Sequence, residues 1–121
     1  MDYNEKSIVF FLEEPTLSKV ESTYQRKLVK RIEELIPGCF ILRNNPDEIQ
    51  GIPDLLILFE SQWAMLEVKR SVDASVRPNQ TYYVDRFNRM SFCAFIYPEI
   101  EEEVLSALQS TLDPFWSTRL S

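Results

Sequence analysis

The sequence predicts a mixed α/β (α+β) fold, in which helices flank a four-stranded mixed sheet and the elements run α-β-β-β-α-β-α. Apolar residues at helical spacing mark three segments, and four short apolar runs have the length of strands. The 121 residues are enough to bury one core, so the chain is interpreted as a single domain. Its core spans about residues 16–97, between an N-terminal arm (1–15) and a C-terminal helix and tail (98–121).

The first helix is predicted to begin near Thr16 or Ser18 and to end before Pro37-Gly38, because proline and glycine stop helices. Its inward stripe is expected at five positions three or four residues apart: Val20, Tyr24, Leu28, Ile32 and Leu35. Its outer face is basic, with Lys19, Arg26, Lys27, Lys30 and Arg31. Upstream, the apolar run at residues 8–12 fits either an edge strand or an arm that binds a partner.

Four strands are expected between and after the helices. Strand one is predicted at residues 39–42. Residues 55–59, directly after Asp54, form a continuous apolar run typical of a buried strand, and residues 63–69 are predicted to be its hairpin partner. Strand four is predicted at residues 92–97.

Two further helices complete the order. The second is predicted at residues 79–90, with three residues facing inward: Tyr83, Phe87 and Met90. The closing helix is predicted at residues 100–112, with its own inward stripe of Val104, Leu105 and Leu108.

The most informative residues stand at the ends of the predicted hairpin. Asp54 opens its first strand, and Glu67-Val68-Lys69 closes the second. Because side chains alternate along a strand, Glu67 and Lys69 share one face while Val68 points into the core. If the hairpin brings Asp54 beside them, two carboxylates and one ammonium converge. The alternative is an ordinary strand with a solvated Glu67–Lys69 pair.

These residue types suit phosphodiester hydrolysis with a divalent metal. Mg²⁺ prefers carboxylate oxygens, water and substrate phosphate, and the backbone carbonyl of Val68 is a further candidate ligand. The metal lowers the pKa of a bound water and compensates the charge on the phosphate oxygens. A lysine beside that water can orient or deprotonate it.

The composition excludes several other function classes. The chain has no histidine, which removes Ser-His-Asp and Cys-His catalysis as well as histidine metal sites. Its two glycines form no phosphate-binding loop, no organic cofactor is indicated, and no apolar stretch is long enough to span a membrane. Cys39 and Cys93 stand in apolar runs, so we expect buried free thiols and a reducing cytoplasm.

The net charge of −6 argues against a nucleic-acid enzyme until its distribution is considered. Residues 16–97 carry eleven basic and ten acidic side chains, whereas the acidic excess lies at the two ends. The distribution therefore weakens the objection without predicting a basic groove.

Three motifs in this order resemble the PD-(D/E)xK nuclease superfamily, namely residues 51–54 (Gly-Ile-Pro-Asp), 67–69 (Glu-Val-Lys) and 77–80 (Arg-Pro-Asn-Gln). Within it, the chain is most similar to the small VRR-NUC-type endonucleases of phages and bacteria. The resemblance covers roughly residues 18–97. It implies a restriction-endonuclease-like core, cleavage of DNA with Mg²⁺ or Mn²⁺ that leaves 5′-phosphate and 3′-hydroxyl ends, and the cytoplasm of a bacterium or phage-infected host.

The resemblance also implies a role for each site residue. Asp54 would be the central metal ligand, Glu67 the second carboxylate and Lys69 the residue that polarises the water. Glu21 matches the acidic residue on the first helix that completes the metal shell, and Gln80 matches a glutamine near the catalytic lysine. Glu21 is otherwise a solvated acid, and Gln80 a helix cap. The scarcity of glycine before Gly51 and the acidic ends depart from the family's pattern.

Contacts to DNA are expected from four residues near the site, each of which is otherwise an ordinary surface side chain: Lys19, Arg43, Asn44 and Arg77. Tyr82 and Tyr83 are expected in the core rather than as a base-stacking platform. Phe115 and Trp116 are expected to pack against the domain or a second subunit.

The resulting hypothesis is a homodimeric, metal-dependent DNA endonuclease that selects branched substrates such as Holliday junctions or flaps. A sequence-specific or nicking endonuclease stays open, as does a non-catalytic nucleic-acid-binding module on the same fold. A sugar or acyl hydrolase built on paired carboxylates fits less well, because it has no use for Lys69.

Overall fold

The computed structural model describes residues 17–116 and 118, with side chains from residue 22 onward, and has the predicted order of elements. Helix α1 spans Leu17–Leu35, α2 spans Pro78–Asn88 and α3 spans Glu101–Leu112, after a short 3₁₀ turn at Pro98–Ile100. The strands are β1 (Phe40–Arg43), β2 (Leu55–Phe59), β3 (Gln62–Val68) and β4 (Phe92–Ile96). The predicted run at residues 8–12 lies outside the described residues.

The four strands form one mixed sheet in the order β1-β2-β3-β4. Strands β1, β2 and β3 are antiparallel neighbours, whereas β3 and β4 are parallel and are joined through α2. The β2–β3 hairpin closes through Glu60 and Ser61, and Glu60 takes the left-handed conformation with φ 53°. The fold class predicted from the sequence is therefore confirmed.

One face of the sheet packs against α1 and α3 and holds the larger part of the core. Helix α1 contributes Leu28 and Ile32, and Ile36 follows directly after its end; all three are at most 1% exposed. Tyr24 and Leu35 of the predicted stripe are half-buried, and the side chain of Val20 lies outside the description. The other buried side chains of this face alternate along the strands or lie on α3: Leu55, Ile57, Ala64, Leu66, Val68, Ile96, Val104, Leu105, Leu108 and Leu112.

Polar contacts fasten α1 to α3 at the edge of this core. Arg31 lies 2.8 Å from a carboxylate oxygen of Glu101 and 2.7 Å from one of Glu102. Tyr24 donates a 2.8 Å hydrogen bond to Glu101, and burial together with that carboxylate raises the pKa of the tyrosine. Arg31, predicted as part of a basic surface, is thus an ion-pair partner within the fold, whereas Arg26, Lys27 and Lys30 are exposed.

The opposite face carries α2, which packs mainly on β3 and β4. Val84 of α2 is buried against Met65 and Cys93, with Phe87 beside them. Met90, predicted to face inward, is 58% exposed, because α2 ends at Asn88 and the helical spacing no longer applies. Over β1 the face is open.

Two apolar residues of β1, one aromatic and one aliphatic, are exposed on that open part of the sheet. Phe40 is 70% exposed and Leu42 is 49% exposed, and their cross-strand neighbours Leu58 and Leu56 lie on the same face. Phe115 near the end of the chain is 69% exposed. Among the described residues, no helix has both the length and the apolar character needed to cross a membrane.

Candidate active site

The hairpin holds Asp54 beside the end of β3. Strand pairing runs in register from Phe59 with Gln62 to Leu55 with Leu66, and Asp54 extends it by one rung. Its Oδ2 accepts a 2.9 Å hydrogen bond from the backbone N–H of Val68. A side-chain oxygen thus takes the place that a backbone carbonyl occupies in the ladder, which fixes the carboxylate at this position.

Asn44 fixes the backbone on the other side of Asp54. Its side-chain amide donates to the carbonyl of Pro53 at 2.8 Å, and its backbone N–H donates to the carbonyl of Asp54 at 2.9 Å. We expected Asn44 to contact DNA. In the structure, its side chain positions the segment that carries the candidate metal ligand.

Glu67 and Lys69 lie on the same face of β3 as predicted, beneath the start of α2. Glu67 is 3% exposed and Lys69 is 8% exposed. The Lys69 Nζ lies 3.7 Å from Oε2 of Glu67. The backbone N–H of Lys69 donates to the carbonyl of Ile96 at 2.8 Å, so pairing with β4 fixes the backbone position of the lysine. Charged groups this deeply buried persist because they are paired.

Gln80 joins these two charges. Its Nε2 donates to Oε2 of Glu67 at 2.8 Å, and its Oε1 accepts from Nζ of Lys69 at 3.0 Å. Oε1 also accepts from the backbone N–H of Arg77 at 2.9 Å, which caps α2. The orientation of the Gln80 amide follows from its partners. A flipped amide would place its NH₂ group against two other donors, Lys69 Nζ and the Arg77 N–H, and its oxygen against the carboxylate of Glu67. The helix-cap alternative and the site position are both realised.

A close approach of the backbone holds the loop before Asp54 against α2. Asn79 donates a 3.0 Å hydrogen bond to the carbonyl of Gln50. Next to it, Gly51 has φ +93°, and a Cβ at this position would lie 2.7 Å from the side chain of Asn79. Only glycine combines that conformation with that contact. The loop and the helix that carry Asp54 and Gln80 are therefore tied together.

These groups line an open cleft of about 270 Å³ between the hairpin, the start of α2 and the loop of residues 70–77. Arg77, a predicted DNA contact, is part of the lining. Arg70 also lines it and was not predicted. The signal available in the sequence was a second base directly after Lys69. The complete lining is Asp54, Glu67, Lys69, Arg70, Ala74, Ser75, Arg77 and Gln80.

Other predicted residues lie elsewhere. Arg43 donates a 3.0 Å hydrogen bond to Gln25 of α1, on the sheet face away from the cleft, because strand alternation turns it from the side of Leu42. The side chains of Glu21 and Lys19 lie outside the description, although both residues belong to α1. Tyr82, expected in the core, is 59% exposed, whereas Tyr83 is half-buried and stacks on Phe87.

A buried thiol lies behind the site. Cys93 of β4 is 3% exposed, and both cysteines are free, as predicted; Cys39 is only half-buried. Burial and the nearby charge of Glu67 raise the pKa of the Cys93 thiol to about 12. The thiol therefore stays protonated at neutral pH and is inert as a nucleophile or metal ligand.

The donor set fits a hard cation. Asp54 and Glu67 supply carboxylate oxygens, which Mg²⁺ and Mn²⁺ prefer to nitrogen and sulfur. Among the side chains from residue 22 onward, no three acidic, cysteine or histidine groups cluster as a metal site. Two carboxylates remain, and Mg²⁺ sites in proteins need no more when water and phosphate complete the shell.

Comparisons with known proteins agree on the fold. No protein-family model matches the chain, and no curated protein matches it. A solved structure described as a VRR_NUC domain has a TM-score of 0.58 at 22% identity, covering 74% of this chain and 95% of that one. Another, described as a VRR_NUC domain protein, has a TM-score of 0.56 at 16% identity, covering 77% and 88%. The chain therefore shares its fold with these two VRR_NUC domain structures, which is the fold that the motifs predicted.

Proposed function

We propose that this protein is a metal-dependent DNA endonuclease that hydrolyses phosphodiester bonds. The observation that carries the proposal is the convergence of Asp54, Glu67 and Lys69 on one cleft, with Gln80 bridging the last two. A fold alone does not establish activity. Two carboxylates beside a buried ammonium, at the floor of an open cleft with arginines at its rim, match the needs of metal-assisted hydrolysis of a phosphate diester.

The metal would be held by Asp54 and Glu67, with Glu21 of α1 completing the shell. The Val68 N–H faces Asp54, and since the N–H and C=O of a strand residue point to the same neighbour, the Val68 carbonyl faces it too and is a further ligand. Bound Mg²⁺ or Mn²⁺ would supply an activated water and compensate charge on the phosphate.

The chain's own residues prepare the reaction. Lys69 presents an ammonium at the cleft and would orient the attacking water. Gln80 is a positioning residue, since it binds Glu67 through one end of its amide and Lys69 through the other. Arg70 and Arg77 would contact phosphates flanking the scissile bond, and Lys19 would extend these contacts along α1.

We further propose that branched DNA, such as a four-way junction or flap, is the preferred substrate. The cleft is open, and the described fold has no separate element of the kind that reads base edges in the major groove. We therefore propose that the protein selects its DNA substrate by the shape of the DNA. A nicking or sequence-specific enzyme would give a different substrate ranking in the experiment below.

A homodimer is also part of the proposal. Phe40 and Leu42 on the edge strand expose apolar area that a two-fold partner would cover. Two paired copies would present two cleavage sites to two strands. Phe40→Ser should shift the protein towards the monomer in light scattering after size-exclusion chromatography, whereas Met90→Ser is the control for an exposed apolar side chain elsewhere.

Cleavage of four-way junction, flap, nicked and linear duplex DNA tests the proposal, with Mg²⁺, Mn²⁺ or EDTA. The decisive variant is Asp54→Asn, because an amide oxygen can still accept the Val68 hydrogen bond while the carboxylate charge is lost. Asp47→Asn is the control, since Asp47 is an exposed acid in the adjoining loop.

We expect metal-dependent cutting by the wild type and by Asp47→Asn, with a loss of about 10²- to 10³-fold in Asp54→Asn, the scale of a lost electrostatic contribution to catalysis. Products should carry 5′-phosphates. DNA binding without cutting, equal in all three proteins, would instead identify the non-catalytic binding module.

A further inference from the structure

A second cavity of about 360 Å³ adjoins the catalytic cleft. Different residues of the loop 70–77 line the two cavities, and Lys69 and Ala74 contribute to both. The two linings differ in chemistry. Apart from Lys69 and Ser71, the second is apolar or aromatic, formed by Val72, Ala74, Val76, Phe95, Tyr97 and Ile100.

Strand alternation places this cavity next to the proposed catalytic groups. Phe95 of β4 pairs in register with Glu67 of β3, and Val68 pairs with Ile96, so Tyr97 follows beside Lys69 on the same face. The aromatic pair is therefore one strand away from the carboxylate and ammonium of the cleft. A group bound there would be adjacent to a phosphate bound at Lys69, because Lys69 lines both cavities.

The loop supplies the other wall with exposed apolar side chains. Val72 is 57% exposed and Val76 is 47% exposed, although Arg70 and Arg77 bracket the same loop and line the polar cleft. Neither valine belongs to the hydrophobic core clusters of the described residues. Because both valines line one cavity with the aromatic pair, they form a contiguous apolar surface of the kind that marks ligand-binding grooves.

From this juxtaposition, we propose that the second cavity binds an unstacked nucleobase of the DNA strand whose phosphate occupies the catalytic cleft. The inference rests on the proposed nuclease function and deepens it. The apolar lining suits a flat uncharged ring and not a phosphate, and the hydroxyl of Tyr97 offers one polar contact. Base–aromatic contacts of this kind are tolerant of base identity.

The subsite gives a physical reason for selecting branched DNA. A base inside an intact duplex must be unpaired and unstacked before it can enter, which costs free energy, whereas a base at a branch point or flap is already free or nearly so. The cavity thus favours substrates in which one base is already unpaired, and it does so without recognising a particular sequence.

The test is a double-mutant cycle between protein and DNA. An abasic nucleotide is placed at successive positions across a flap substrate, and dissociation constants are measured by fluorescence anisotropy in Ca²⁺ and cleavage rates in Mg²⁺. The protein variants are Tyr97→Leu and the loop double variant Val72→Asn with Val76→Asn. The latter changes exposed side chains only, so it keeps the test valid if Tyr97→Leu unfolds. Ile49→Asn, in an exposed apolar position of another loop, is the control.

We expect one position next to the cut where the abasic nucleotide weakens binding by the wild type about 5- to 150-fold, the range for stacking of one base. In the cavity variants that penalty should vanish, and in Ile49→Asn it should persist. Additive penalties at every position, with binding and cutting intact, would overturn the subsite alone. Absence of any DNA binding by the wild type would overturn the subsite and the nuclease together.

Discussion

The two faces of strand β3 serve different purposes although they are made from alternate residues of one segment. Ala64, Leu66 and Val68 point to α1 and α3 and are at most 1% exposed. On the other face, the strand continues from Met65 to Glu67, with Lys69 directly beyond it, and these charged groups are buried beneath the start of α2. The first face stabilises the fold by excluding water. The second retains charges at a cost in stability that a purely apolar face would not carry.

The difference between the faces predicts which substitutions change activity and which change stability. A substitution on the charged face should lower the cleavage rate far more than it lowers the fraction of folded protein. A substitution on the apolar face should do the reverse. The four predictions below test this separation, from the largest expected effect to the smallest.

Lys69→Met should reduce the single-turnover cleavage rate at saturating metal by about 10²- to 10⁴-fold, the contribution of a positioned acid–base group. The methylene stem survives, so packing is largely kept. Lys27→Met, on the exposed side of α1, is the matched control and should cut at the wild-type rate. A Lys69→Met enzyme that cuts as fast as the control would show that the lysine is structural.

Leu66→Ala should lower the free energy of unfolding by about 2–5 kcal/mol, because it leaves a cavity where the side chain is 0% exposed. Chemical denaturation measures the loss. Leu42→Ala, at a half-exposed position of β1, should cost far less. The cleavage rate per folded molecule should stay at the wild-type value in both variants, and a large decrease in Leu66→Ala alone would contradict the separation of the faces.

Gln80→Met should reduce cleavage about 10- to 100-fold, the usual effect of removing a group that orients a metal-ligating side chain. The loss should appear as a higher metal concentration needed for half-maximal rate, since Glu67 loses its 2.8 Å hydrogen bond. Gln62→Met, at the exposed start of β3, is the control. Equal metal dependence in both variants would reduce Gln80 to a helix cap.

The free energy of unfolding should fall as the pH rises from about 9 towards 12, because the Cys93 thiol titrates at about 12 in the folded protein and at its ordinary value of 9.0 when unfolded. The folded state therefore holds more protons in this window. Cys93→Ala should flatten the slope by up to about 1.4 kcal/mol per pH unit. Cys39→Ala should flatten it less, and an identical slope in both variants would argue against the burial of charge-sensitive groups beneath the site.

The fold and the centre of the site could be predicted because both depend on short-range patterns. Alternation and helical spacing identified seven elements. Glu67 and Lys69 are two residues apart along one strand direction, so their side chains lie on the same face. The three-way bonding of Gln80 could not be read from the sequence, since it depends on how α2 packs across the sheet. The inward position predicted for Met90 was wrong for a different reason: the spacing of apolar residues continues past Asn88, where the helix stops.

The hydrogen bond between Asp54 and the Val68 amide also limits how the length of this chain can change. Asp54 and the Val68 amide that it binds are only 14 residues apart in the sequence, and the hairpin between them closes through two residues. Losing one residue from β3 would exchange its faces and turn Glu67 into the apolar core. Insertions and deletions of a single residue in this hairpin should therefore be excluded, because each would exchange the faces of the strand beyond it. Length variation among descendants of this chain should occur in the hairpin only in steps of two residues.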